Sequence, residues 1–114
     1  MTLRPGSPAR GSTSGRPLMV LLDALGRRWT LRILWELRRG PLHFRALRSA
    51  CDEASPSVLN DRLRLLRELK LVELTGSGYE LTHHGRELGS TLAHLDTWAG
   101  AWAETLDEGH GGNT

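Results

Sequence analysis

One cysteine, Cys51, stands in 114 residues, so no disulfide can form within the chain and the fold must rest on its packing. That usage suits a reducing compartment, and a cytoplasmic protein is expected. No apolar run approaches the ~20 residues a membrane span needs, and the first arginines precede no apolar signal segment. A membrane is therefore not an expected partner. No nucleophile has a base and an orienting group near it in the pattern, and no glycine-rich loop is spaced to cradle phosphates. No enzyme, no catalytic residue and no cofactor is expected. Lysine is scarce as well: Lys70 stands alone beside fourteen arginines. The planar guanidinium suits bidentate contact with phosphates and bases better than an ammonium does.

What is present is unevenly spread. Residues 26–70 carry eleven Lys and Arg against five Asp and Glu, a surplus of six positive charges. Residues 71–114 carry one arginine against seven acidic residues, a surplus of six negative charges. A basic middle commonly marks a polyanionic partner, of which double-stranded DNA is one, and its plainer reading is a solvated face. Residues 1–16, rich in Gly, Ser, Pro and Thr, read as a disordered arm. Residues 107–114 read as a flexible tail, which leaves 17–106 as one domain.

Within that domain a helix opens at Pro17 and runs to Gly26, since proline suits a first helical turn. A second covers "RWTLRILWELRR" and stops at Gly40-Pro41. A third, "HFRALRSAC", places Phe44, Leu47 and Cys51 on one face, with Cys51 as a buried thiol. A fourth begins with Ser55 as N-cap and Pro56 in its first turn, and continues to about Lys70. Then the period changes. "LVEL" (71–74) and "YELT" (79–82), separated by "TGSG", predict a small antiparallel hairpin, after which Thr82 caps a long last helix. Three helices followed by a hairpin make a winged helix-turn-helix. The fold class is α+β, mainly α, with a two-stranded wing and flanking N- and C-terminal helices. The fourth helix would enter a DNA major groove.

These residues also resemble a known family. "LDALGRRWTLRIL", "FRAL" (44–47), "SPSVLNDRL" (55–63), "YELT" and Gly85 stand at the spacing of the HxlR-type winged-helix transcription regulators, within the MarR-like superfamily. The resemblance covers about residues 17 to 103 and implies a dimeric DNA-binding regulator, associated with the bacterial nucleoid. Three departures stand out. Arg16 occupies the place where many members carry a cysteine before the proline, so a redox switch there is not implied. Arg27 and Arg28 replace the usual Gly-Lys and add charge. The "TGSG" wing is shorter and uncharged, which leaves specificity to the helix.

In the fourth helix Leu59, Leu63 and Leu66 form the core stripe, joined by Leu69 and Val72. Opposite them, Arg64 could pair with guanine and Asn60 with adenine, each worth ~1–3 kcal/mol of discrimination. Asp61 could accept from a cytosine amino group or serve as an ion-pair partner of Arg64 or Arg45. Ser55 and Ser57 sit where exposed helix amides bind phosphate. Arg28, His43 and Arg45 are further phosphate candidates, with Ser77 at the wing tip. Arg62 joins that set, although its position could instead tie the helix to an acidic neighbour.

Along the last helix Leu88, Leu92, Leu95, Ala99, Trp102 and Leu106 recur at coiled-coil spacing, and Trp98 widens the seam. With Leu18, Leu21, Leu22 and Leu25 of the first helix they form the expected homodimer interface. A small-molecule effector between the DNA-binding lobes and the dimer helices is a further possible partner. His83, His84 and Glu87 gather on one turn, as in metal sensors of the ArsR kind, but the pattern is loose and no metal site is assigned. The rival from another class is a winged-helix protein-interaction module without DNA binding.

Overall fold

The protein is described from a computed structural model covering residues 16–111, with side chains through residue 108. The N-terminal arm, Arg16 apart, and the last residues of the tail lie outside the described residues. Helices α1 (Pro17–Leu25), α2 (Thr30–Leu37), α3 (Phe44–Ala50) and α4 (Pro56–Glu68) precede strands β1 (Val72–Thr75) and β2 (Gly78–Leu81). Helix α5 (His83–Gly111) closes the order. The order is that of a winged helix-turn-helix, mainly helical, with a two-stranded antiparallel wing.

The boundaries have local causes. Pro17 and Pro56 occupy the first turns of α1 and α4. Trp29, in the left-handed region at φ 76°, turns the chain sharply into α2. Gly40, at φ 143°, and Pro41 stop α2. Thr82 caps α5: its Oγ1 accepts from the Gly85 amide at 3.0 Å, while its hydroxyl donates to the Lys70 carbonyl at 2.7 Å. One expected cap is different. Ser55 stands at the N-cap of α4, but its hydroxyl lies 3.1 Å from that of Ser57 and makes no capping bond to the first amides. Helix α5 also continues to Gly111, beyond the expected end at Leu106.

The core gathers Ile33, Leu34 and Leu37 of α2, Leu47 of α3, Leu59, Leu63 and Leu66 of α4, and Val72 and Leu81 of the wing. Leu88 and Leu92 of α5 pack against it from outside. A second, smaller cluster joins Val20 and Ala24 of α1 to Leu65 of α4, with Leu69 beside them. Leu69 therefore extends the α4 stripe towards α1 rather than into the main core. Helix α1 is consequently two-faced. Val20 and Ala24, four residues apart, point inward, whereas Leu18 and Leu22 point outward at 62% and 50% exposure.

The wing strands keep the pairing of the expected hairpin, but each lies one residue nearer the turn than expected. Thr75 pairs with Gly78, so only Gly76 and Ser77 form the loop. Leu42 adds a bridge on the other edge of β2: its amide donates to the Tyr79 carbonyl at 3.0 Å, and the Tyr79 amide returns a bond at 2.8 Å. Gly78, at φ 111°, lies so close to the Leu42 backbone that a Cβ would collide with it.

Candidate DNA interface

Helix α4 holds its core stripe inward and leaves Asn60, Asp61, Arg64 and Arg67 exposed. Asn60, Arg64 and Arg67 follow one another at spacings of four and three, so they share a face. Sequence reasoning passed over Arg67, although that spacing would have found it. Together with Lys70, Arg64 and Arg67 line an open groove of about 520 Å³ between α4 and the wing, where Glu68 and Glu73 also stand. Such a face can offer paired N–H donors to base edges and cationic ends to phosphates.

The turn that sets α4 at its angle to α3 is clamped by two arginines that sequence reasoning did not single out. Arg32 of α2 donates to the Ala50 carbonyl at 2.6 Å and to Asp52 at 3.3 Å, while Glu36 holds its Nε at 2.9 Å. The bond to Glu36 is the main reason its guanidinium binds its proton more firmly than usual. Arg48 donates to the Ala54 carbonyl at 2.7 Å and pairs with Glu53 at 3.3 Å. Asp52 and Glu53 both adopt left-handed backbone, so the clamps bear on the tightest part of the turn.

The expected contact residues fall into distinct roles. Asp61 pairs with Arg62 at 2.7 Å and with Arg64 at 3.4 Å, which selects Arg64 over Arg45 as its partner of the two weighed. Arg62 turns away from the exposed face: its Nε donates to the Arg28 carbonyl at 2.8 Å. Arg28 itself stacks over the Trp29 ring at 5.4 Å. His43 and Arg45 are exposed at the start of α3, and Ser55 and Ser57 at the start of α4. Ser77 is exposed at the wing tip, its amide donating to Thr75 Oγ1 at 3.1 Å.

The wing carries charge of the wrong sign for DNA. Glu73 and Glu80 face each other directly across the two strands. The Thr75 hydroxyl donates to Glu80 at 2.6 Å, which ties one carboxylate to the hairpin. Like charges in register weaken a hairpin slightly, and here they also set a negative wing beside a positive helix.

Residues 24–107 match the model of the HxlR-like helix-turn-helix family. The chain belongs to that family. Among its relatives is the uncharacterized HTH-type transcriptional regulator MJ0925 of Methanocaldococcus jannaschii, 29% identical over 90 residues, 75% of this chain and 85% of the relative. Another is the uncharacterized HTH-type transcriptional regulator YvaP of Bacillus subtilis, 28% identical over 90 residues, 73% of this chain and 83% of that one. The crystal structure of quinone-bound YodB from B. subtilis superimposes with a TM-score of 0.69 at 27% identity, covering 74% of this chain and 96% of YodB. MJ0925 and YvaP share the role of helix-turn-helix transcriptional regulator.

The seam of α5 in this HxlR-family chain divides in two. Leu88 and Leu92 are partly buried on the core, and Leu25 of α1 packs there too. Beyond them Leu95, Trp98, Trp102 and Leu106 are exposed, with the Trp98 and Trp102 rings stacked at 5.7 Å. Ala99 is half-buried, as is Leu21 on α1. Cys51 is fully buried just past α3, where burial pushes its thiol up from its ordinary value. His83 and His84 both lie against Glu87, at 3.5 and 3.2 Å, on the exposed surface. No group of metal-binding side chains is found among the described residues, and no helix there is long and apolar enough to cross a membrane.

Proposed function

We propose that this regulator acts as a homodimer on an approximately palindromic DNA site, one α4 in each of two successive major grooves, and that it responds to a small-molecule signal. The observation that carries the reading is the division of α4 between a leucine stripe sunk in the core and an exposed Asn60, Arg64 and Arg67 face. His43, Arg45, Ser55 and Ser57 flank that face and supply phosphate contacts. The exposed leucines and stacked indoles of distal α5, with Leu18 and Leu22 of α1, supply the apolar face of the dimer. DNA as partner places the protein in the cytoplasm, with the nucleoid.

An apolar groove of about 370 Å³ between Leu31 and Trp35 of α2 and Leu92, Leu95 and Ala99 of α5 is large enough for a small effector. It adjoins Arg32, whose guanidinium clamps the recognition turn, so an occupant there would bear on the angle of α4.

A mobility-shift series on genomic fragments at rising salt tests the DNA reading. Binding through several phosphate contacts predicts an affinity that falls steeply as salt rises. No shift at low salt overturns it and favours the rival, an interaction module, for which the short wing and its paired Glu73 and Glu80 speak.

A further inference from the structure

Helix α1 touches both halves of the proposed machine. Its inward face, Val20 and Ala24, packs on Leu65 at the back of the recognition helix. Its outward face, Leu18 and Leu22, is open to solvent and belongs to the proposed dimer surface. Just beyond its end, the Arg28 carbonyl is held by Arg62 of α4 at 2.8 Å. The same guanidinium is neutralised by Asp61 at 2.7 Å, and the Arg62 side chain is only 19% exposed. A cation with its Nε on a backbone carbonyl and its NH1 on a carboxylate is poorly placed to meet phosphate. It is well placed to fix one element against another.

We propose that Arg62 and Leu65 are positioning residues that lock the recognition helix to α1 and to the turn that follows it, and that this lock sets the distance between the two α4 helices of a dimer. The residues thereby determine which spacing between half-sites is read, while Asn60, Arg64 and Arg67 determine which bases are read. The proposal rests on the dimeric DNA-binding reading given above. Its physical basis is geometric: half-site spacing mirrors the separation of the two recognition helices. A helix joined to the dimer element through a packed side chain and a charge-assisted hydrogen bond cannot pivot independently of it.

The test separates spacing from sequence. Full-length protein is first used to select from a library of paired half-sites with varied spacers, and then its Arg62→Gln, Arg62→Lys and Leu65→Val variants are measured on the selected set. Arg62→Gln should keep the half-site sequence but lose about tenfold in affinity at the wild-type spacing, as removal of one charge-assisted hydrogen bond implies. At neighbouring spacings its affinity should hold, so the preference broadens. Arg62→Lys, which can still donate to the Arg28 carbonyl, should restore the preference in part. Leu65→Val should broaden it with every charge in place. An equal loss at all spacings, with a salt slope lower by about one phosphate, would make Arg62 a backbone contact and overturn the proposal. So would spacing preferences unchanged in both Arg62→Gln and Leu65→Val. A wild type that binds DNA but selects no spacing removes the proposal alone, whereas one that selects no DNA removes the regulator reading beneath it as well.

Discussion

Helices α4 and α5 carry leucines at the same alternating spacing of four and three, and the fold treats them in opposite ways. In α4, Leu59, Leu63 and Leu66 are sunk into the core. In α5 only the first two seam positions, Leu88 and Leu92, reach it, and from Leu95 onward the large apolar side chains stand in solvent. The difference is one of reach. At ~1.5 Å per residue a helix of 29 residues is about 43 Å long, and the small core behind it covers only its first turns. Periodicity alone therefore states that a helix has an apolar face, and the length of the neighbouring elements decides whether that face is filled from within the chain.

Substitutions should separate the two helices. Leu63→Ala, at a fully buried position, should cost about 2–5 kcal/mol of stability in urea unfolding. A cost below about 1 kcal/mol would show that the α4 stripe is not the core it resembles. Trp102→Glu, on the open half of α5, should keep the helical circular dichroism but shift the sedimenting mass at micromolar concentration to that of a monomer. If the wild type already sediments as a monomer, the open seam is not a dimer face. On the polar side of α4, Arg64→Ala should relax base preference by ~1–3 kcal/mol at one position of the site. Arg45→Ala should weaken all sequences alike and lower the salt slope by about one. Equivalent behaviour of the two variants would dissolve the distinction between reading and positioning contacts. The smallest effect is expected at Thr30, whose hydroxyl is fully buried with no hydrogen-bond partner among the described residues. Thr30→Val removes that unsatisfied group at nearly constant shape and should leave stability unchanged or raise it by about 1 kcal/mol, read as the urea midpoint.

Much of this was legible in the sequence because the signals are local. Pro17, Gly40-Pro41 and Ser55-Pro56 mark where α1 and α4 begin and where α2 ends, whatever the chain does elsewhere. The α4 stripe could be counted residue by residue. The bounds of the wing strands could not: the pairing extends one step further, to Thr75 and Gly78, and Leu42, more than thirty residues away along the chain, comes alongside β2. The partners of long polar side chains were hidden for the same reason. Arg32, Arg48 and Arg62 look alike in a basic segment, yet each ends on a backbone carbonyl whose position only the fold determines. Leu65 falls outside the α4 stripe and is buried because α1 happens to cover it. The apolar face of α5 was visible, but not the point at which the core stops beneath it.

The root of α5 is where this arrangement has its widest effect. Thr82 is bonded to the Lys70 carbonyl and caps the helix, and a Cβ on Gly85 would run into the Leu71 carbonyl, so the helix leaves the domain with almost no play. A rod about 43 Å long, held so close to one end, is a lever. A tilt of about 5° at Thr82 would carry the stacked indoles, about 24–30 Å along the helix, through about 2 Å, and a push on those indoles would arrive at the junction of α4 and the wing with mechanical advantage.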